Sequence, residues 1–558
     1  MSATEVTTAV LRRASLLAGA DDDALAELAA DAQETHLLAG EWLLHEGAAA
    51  DDFFVIVQGR VRAVADAATD DERTLRVLGS GATIGELALL TGAHRSASVQ
   101  ALRDTTLLRL SREPFVALLE RDAQFAATVA VELARQLQAS GGLTTRDARP
   151  AVIAVRPLGP GDRAVGVARS LSTALERYGT VELVGPEPVT PETLEAAEES
   201  NAHVVLVDDA TDRAWSDRCA RQADRVLLVT GEDTPLPGTA SPAADLVVVG
   251  PCSGAGLGAL LDAVAPRAHH RLASTEPSDP GISRLARRLV GRALGIVLSG
   301  GGARGFAHIG VLEELERDGI EIDRYGGCSM GSFIAAMAAA GWRPTHIRDR
   351  CHEELVRRSP FNDYTIPRVA LIRSRKAGRM LERLFTDLTV EELAKPLFTV
   401  SADLLSSRLV VHRRGSLLEA VGASMSIPGL VPPLPRGGQL LVDGGVLNNL
   451  PVDEMTASAE GPVIAVDVVR RLEGSADDAS LPTIMETLSR ATVLGSVERA
   501  EHNRSLALLV ISPDVNDIPL RDFRSLDRAV EAGRAAARDA LDRGARDVIL
   551  DAVDAPVG

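Results

Sequence analysis

At 558 residues, with 46% hydrophobic and 25% charged residues, the chain has the composition of a folded protein and is too long for a single core. A formal net charge of −19 excludes sequence-independent binding to a phosphate backbone through a broad basic face, so nucleic acid is not an expected partner. Four scattered cysteines (Cys219, Cys252, Cys328 and Cys351), with no CxxC pair and no histidine at ligand spacing, exclude a zinc cluster and predict reduced thiols and no metal.

The N-terminus, MSATEVTTAVLRRASLLAGADDD, lacks the apolar core of a signal peptide, and nowhere do 18 apolar residues run together. The expectation is a cytoplasmic chain without a spanning helix, soluble or peripheral at a membrane. Over residues 1–140, short runs such as DDFFVIVQGRVRAVA and SASVQALRDTTLLRLS alternate or cluster apolar residues between glycine turns. They predict a β-barrel or jelly roll, and EPFVALLERDAQFAATVAVELARQLQAS, apolar at helical spacing, predicts a trailing helix. From 150 to 267 the pattern becomes Val-rich strands, AVIAVRPL, HVVLVDDA, RVLLVT and DLVVVG, separated by helical stretches. That rhythm predicts a βαβ domain on a mostly parallel sheet. Its GPGDRAVG loop has no P-loop lysine, so nucleotide hydrolysis there is not expected.

Residues 268–290 hold the Pro- and Ser-rich HHRLASTEPSDPG and the basic amphipathic ISRLARRLVGR, and read as a linker and a helix that docks on the core or meets a membrane. The last unit, 291–558, opens with strand LGIVLS, a glycine run and helix AHIGVLEELERDG. Within it Gly327-Cys328-Ser329-Met330-Gly331 matches GxSxG. A nucleophile elbow needs such glycines because the strand-to-helix turn crowds the backbone while the hydroxyl stands clear. The helix that follows would point free amides and its positive dipole end at Ser329. The same five residues also fit a glycine-softened turn. Gly300-Gly301-Gly302-Ala303-Arg304-Gly305 places amides where an oxyanion could be held; it fits neither GxGxxG nor a P-loop.

A serine nucleophile needs a base, and the histidines at 308, 346, 352, 412 and 502 mark no triad member. Asp443 ends an apolar strand before Gly444-Gly445, and an aspartate can act directly if burial raises its pKa beside the hydroxyl. A tight turn is the alternative reading of that DGG.

In this order, GGGARGFAHIGVL, GCSMG, GASMSIPGLVPP and VDGGVLNNLPV resemble the patatin-like phospholipases across residues 290–470. The resemblance implies a dyad of Ser329 and Asp443, with an oxyanion hole on Gly300, Gly301, Gly302 and the Arg304 loop including Ala303. The amides of Gly301, Gly302 and Met330 are the favoured donors, and Arg304 could equally pack on the sheet. It also implies hydrolysis of acyl esters of phospholipids or lysophospholipids with no required cofactor. The segment 363–385, mixing Ile, Val, Leu and Phe with arginines, reads either as a surface for phospholipid headgroups or as an ordinary amphipathic helix.

Gly85, Glu86, Leu87, Ala88, Arg95, Ser96 and Ala97 resemble the phosphate-binding cassette of cyclic-nucleotide-binding domains, with His94 where proline is usual. Glu86 would accept from a ribose hydroxyl and Arg95 would neutralise a cyclic phosphate, making cAMP or cGMP an effector. The barrel could equally have lost its response to nucleotide. The whole order resembles the neuropathy target esterase group in bacterial form, with a single nucleotide module and no membrane anchor. A non-catalytic, nucleotide-responsive scaffold is the competing function.

Overall fold

The computed structural model describes residues 3–17, 19–67, 73–139, 152–159, 162–186, 191–231, 236, 240–366, 368–469, 487 and 494–555. The expected three-part α/β and all-β architecture is what it contains. In the N-terminal part, two four-stranded antiparallel sheets face each other. Strand Asp52–Gln58 is buried on both faces: Phe54 and Ile56 enter the space between the sheets, while Phe53 and Val55 pack on helices with Phe115 and Phe125. The trailing helices are Arg112–Arg121 and Ala123–Ala139.

The middle part is a six-stranded, wholly parallel sheet in which Val152–Pro157 lies between His203–Val207 and Arg225–Thr230. Its strands carry apolar residues on both faces because helices cover both, which is why they read as continuous Val-rich runs. Here the structure corrects the linker expected at 268–290. Ala268–Leu272 is the sixth strand of this sheet, paired in parallel with Asp245–Val249. Helix Pro280–Leu289, capped by Asp279 with proline in its first turn, buries Ile282, Leu285 and Leu289 in the middle core. Only the turn between them has linker chemistry, and the histidines and arginine of the strand hid its alternating burial.

The C-terminal part is built on a mixed sheet of β1 (Gly295–Leu298), β2 (Arg324–Cys328), β3 (Leu397–Asp403), β4 (Leu409–His412), β5 (Leu434–Arg436), β6 (Gln439–Asp443), β7 (Val463–Val466) and β8 (Leu509–Ile511). The order is β5-β6-β3-β2-β1-β7-β8, with β4 also paired to β3. β1, β2, β3, β7 and β8 run parallel, while β4 and β6 pair antiparallel with β3. Helix α1 (Ala307–Arg317) follows β1 and α2 (Met330–Ala339) follows β2; α2 is buried throughout. Among the described residues no helix is long and apolar enough to cross a membrane.

The parts are joined by ion pairs. Arg103 meets Glu198 at 2.6 Å and Arg60 meets Asp224 at 2.9 Å between the first and second parts. Arg288 meets Glu460 at 2.7 Å between the second and third.

Candidate active site

β2 leaves the sheet at Cys328, and Ser329 turns sharply at φ 51°, ψ −123° before α2 begins. A non-glycine residue there stores roughly 1–3 kcal/mol of strain and persists only where its neighbours over-determine it. They do. The Ser329 N–H donates to Ser424 Oγ at 2.9 Å, and its carbonyl accepts from Ser332 Oγ at 2.6 Å and Phe333 N–H at 3.2 Å. The flanking glycines are explained by close approach: a Cβ at Gly327 would lie 2.6 Å from the Gly331 carbonyl carbon, and one at Gly331 would lie 2.1 Å from the Leu298 carbonyl oxygen.

Asp443 ends β6, whose antiparallel register places it opposite Ser401 of β3, beside the strand that carries the elbow. Its N–H donates to the Ser426 carbonyl at 2.9 Å. Burial pushes the carboxyl up from 3.8 to about 6; hydrogen bonds from the Ser329 side chain, the Gly445 N–H and the Cys328 thiol oppose the shift. The Gly445 bond is 2.9 Å and the Cys328 Sγ contact 3.6 Å. Hydrogen bonds, not a cation, therefore hold this carboxylate. The structure thus brings together the two residues that the sequence sets 114 positions apart, Ser329 and Asp443.

Histidine is used elsewhere. His308 Nε2 bonds the Ser299 carbonyl at 2.9 Å and His412 Nε2 bonds Ser401 Oγ at 2.7 Å. Burial pushes both imidazoles down to about 4, so they are neutral.

The glycine turn abuts the elbow: a Cβ at Gly300 would lie 3.1 Å from Ser329 Cβ. Its amides are not equivalent. Gly300 N–H donates to the Asn449 carbonyl at 3.2 Å, Ala303 N–H to the Leu520 carbonyl at 2.8 Å and Arg304 N–H to the Gly301 carbonyl at 3.2 Å. The Arg304 guanidinium faces the 516–518 segment, donating to the Ile518 and Asn516 carbonyls at 2.8 and 2.9 Å. The N–H groups of Gly300, Ala303 and Arg304 and the Arg304 guanidinium are therefore engaged in holding the turn. The amides of Gly301, Gly302 and Met330 have no hydrogen-bond acceptor among the described residues.

Three supporting residues escaped the sequence reading although each lies inside a quoted motif. Ser424 and Ser426, from GASMSIPG, hold the backbones of Ser329 and Asp443. Asn449, from VLNNLPV, donates to the Gly300 carbonyl at 3.2 Å and so ties the aspartate loop to the glycine turn.

In the N-terminal module Gly85, at φ 89°, precedes the short helix Glu86–Thr91, which carries Leu87 and Ala88. Glu86 is buried, its Oε2 has no partner among the described residues, and burial raises its pKa against hydrogen bonds from its own backbone and Thr83. An acceptor without a donor fits a ligand hydroxyl. Arg95, by contrast, is already engaged: it donates to Asp52 Oδ1 at 2.7 Å, the Asp52 carbonyl at 2.8 Å and the Gly85 carbonyl at 3.1 Å. Ser96 is exposed and Ala97 half-buried beside it. Arg95, the residue expected to neutralise a cyclic phosphate, is thus paired with Asp52 here.

Comparison with known proteins adds two families. The description "Patatin-like phospholipase" matches residues 296–456, and "Cyclic nucleotide-binding domain" matches residues 34–122. An uncharacterized NTE family protein of Mycobacterium tuberculosis is 36% identical over 95% of this chain and 96% of its own. Patatin-like phospholipase domain-containing protein 6 of Homo sapiens is 29% identical over 89% of this chain and 44% of its own. Lysophospholipase NTE1 of Cryptococcus neoformans is 29% identical over 80% of this chain and 33% of its own.

Proposed function

The chain belongs to the NTE family and carries its patatin-like phospholipase domain, and from that premise we propose that it is a serine hydrolase cleaving acyl esters of phospholipids or lysophospholipids through Ser329 and Asp443. The observation that carries the reading is the strained Ser329 in hydrogen-bonding reach of a buried carboxylate whose pKa lies at about 6. Ser329 Oγ attacks the ester carbonyl as Asp443 takes its proton. The carbonyl oxygen becomes an oxyanion, stabilised by the amides of Gly301, Gly302 and Met330 and by the N-terminal end of α2. Collapse breaks the bond to the alkoxide, which receives the proton from Asp443 and leaves as an alcohol. Asp443 then deprotonates water, which attacks the acyl-serine and releases a fatty acid, and the proton returns to Ser329.

A carboxylate near pKa 6 is ionised at neutral pH, yet basic enough to accept a proton. Without burial the carboxyl would keep its ordinary value of 3.8 and be a weaker base toward the serine hydroxyl.

The substrate's apolar chain favours an interfacial site. Tyr364, Ile366 and Val369 are 60%, 82% and 72% exposed, and Arg368, Arg373, Arg375, Lys376 and Arg379 are exposed around them. Where an amphipathic helix was one reading of 363–385, the helix covers only Arg375–Phe385 and the apolar tip is a loop closed by a Tyr364–Ile372 bridge. Leu371 and Ile372 N–H groups donate to the carbonyls of Gly429 and Leu430, in the segment that also contains Ser424 and Ser426. We assign this loop to the lipid surface, an assignment supported by its charge and exposure.

Cyclic nucleotide is proposed as an effector through Glu86, with Asp52 competing for Arg95. Hydrolysis of a phospholipid and lysophospholipid panel by the wild type and Ser329→Ala tests the reading: the variant is expected to be inactive on all lipids. Parental turnover by Ser329→Ala would overturn it.

A further inference from the structure

A cavity of about 470 Å³ lies at the junction of the middle and C-terminal parts. It opens by Arg324 and Tyr325 at the start of β2 and Leu397 and Phe398 at the start of β3, the strand ends opposite those that carry the dyad. Its size falls in the range of about 300–1,000 Å³ typical of small-ligand sites. One wall is apolar, formed by Leu261, Leu285, Val390, Leu393, Leu397 and Phe398.

The other wall is unusual in its charge. Seven arginines line the cavity against three glutamates, in a chain whose overall charge is strongly negative. Three of the seven are neutralised from behind: Arg267 by Asp245 at 2.8 Å, Arg288 by Glu460 at 2.7 Å and Arg414 by Asp262 at 2.7 Å. Arg413 reaches Glu454 at 3.6 Å and lies over the Phe398 ring at 4.9 Å. Arg324 approaches Glu460 at 3.8 Å, but that carboxylate already accepts both bonds from Arg288. Arg271 donates only to the neutral Glu392 carbonyl, at 2.6 Å, and Arg284 has neither an ion pair nor a hydrogen bond among the described residues. Burial is the largest influence on Arg284, Arg324 and Arg413, and each guanidinium is pushed down, Arg324 to about 10. Asp323 and Glu321 act on Arg284 without forming an ion pair with it, Asp323 being already bonded to Arg287, and a guanidinium taken out of water without a close partner is costly.

We propose that this cavity binds an anionic amphiphile, with a carboxylate or phosphate head at Arg271 and Arg284 and an apolar body along the Leu285–Leu397 wall. Arg271 stands on strand Ala268–Leu272 and Arg284 on helix Pro280–Leu289, both of the middle part, while Val390, Leu393, Leu397 and Phe398 of the apolar wall belong to the hydrolase part. A bound anion therefore links the two. This site is independent of the dyad, so it stands or falls separately from the proposed hydrolase reaction.

Calorimetric titration of the full chain with octanoate, octyl phosphate and, as neutral control, octanol tests the proposal. At least one anion is expected to bind, octanol at least tenfold more weakly, and the comparison of the two anions identifies the head group. Arg284→Gln is expected to weaken anion binding at least tenfold while nitrophenyl ester hydrolysis stays at the parental rate. Arg271→Gln carries the same test if the first variant melts lower than the parent. Absence of binding by both anions, equal binding of octanol, or undiminished affinity in a folded variant would each overturn the site.

Discussion

Replacing Asp443 by asparagine separates the two consequences of burying a carboxylate at the end of β6. Its pKa is pushed from 3.8 to about 6, chiefly by desolvation. Because the folded value lies above the unfolded one, the protonated form favours folding. That favour is complete below the unfolded pKa and is lost as pH rises through about 6. At about 1.4 kcal/mol per pKa unit, the ionised carboxylate weighs against the native state by roughly 3 kcal/mol at pH 8, and by about 1 kcal/mol at pH 4.5. Asparagine keeps an acceptor for the Gly445 N–H but carries no charge. Asp443→Asn should therefore stabilise the chain by about 1–3 kcal/mol at pH 8, raising the melting temperature of the hydrolase transition by several degrees, and by less at pH 4.5. Ester hydrolysis should fall by about 10²–10⁴-fold. Calorimetric melts of both proteins at the two pH values decide the matter. An asparagine variant that melts at or below the parent at pH 8, or whose advantage is the same at both pH values, refutes the burial argument.

The same carboxyl predicts that log(kcat/KM) of the wild type on a soluble ester climbs with unit slope up to about pH 6 and then levels; a profile flat from pH 5 to 8 contradicts Asp443 as the base. Ser424→Ala strips the buried Ser329 N–H of its acceptor, a loss worth about 1–3 kcal/mol. It should lower kcat by about tenfold or more with KM little changed, and an unaltered kcat would show that the elbow does not need this restraint. Asp52→Ala removes the carboxylate paired with Arg95 and leaves only its bonds to the Asp52 and Gly85 carbonyls, so calorimetry should find cAMP or cGMP bound at least tenfold more tightly, whereas unchanged or weaker binding means that the carboxylate does not compete with ligand.

Much of this molecule is legible in its residues because the decisive signals are local. The apolar run of 53–57, Val-rich runs between 152 and 249, and glycines on both sides of Ser329 each follow from the geometry of one element. The features that stay hidden depend on contacts between distant segments. Nothing around Gly300 or Ala303 announces that Asn449 and Leu520 will take their amides, and nothing near Arg95 indicates that Asp52 will reach it. The strand Ala268–Leu272 is masked by its own polar residues, since His270 finds Asp245 and Arg288 inside the fold while reading as linker outside it. The bonds of Ser424 and Ser426 likewise link motifs that sequence order keeps apart.

The claim beneath all of this is that Ser329 forms the acyl-enzyme. Reaction of the full chain with a fluorophosphonate, followed by mass mapping of the peptides, tests it most directly. A single adduct on Ser329, suppressed in Asp443→Asn and absent from Ser329→Ala, is the predicted result; an adduct on another residue, or equal labelling of Ser329→Ala, contradicts it.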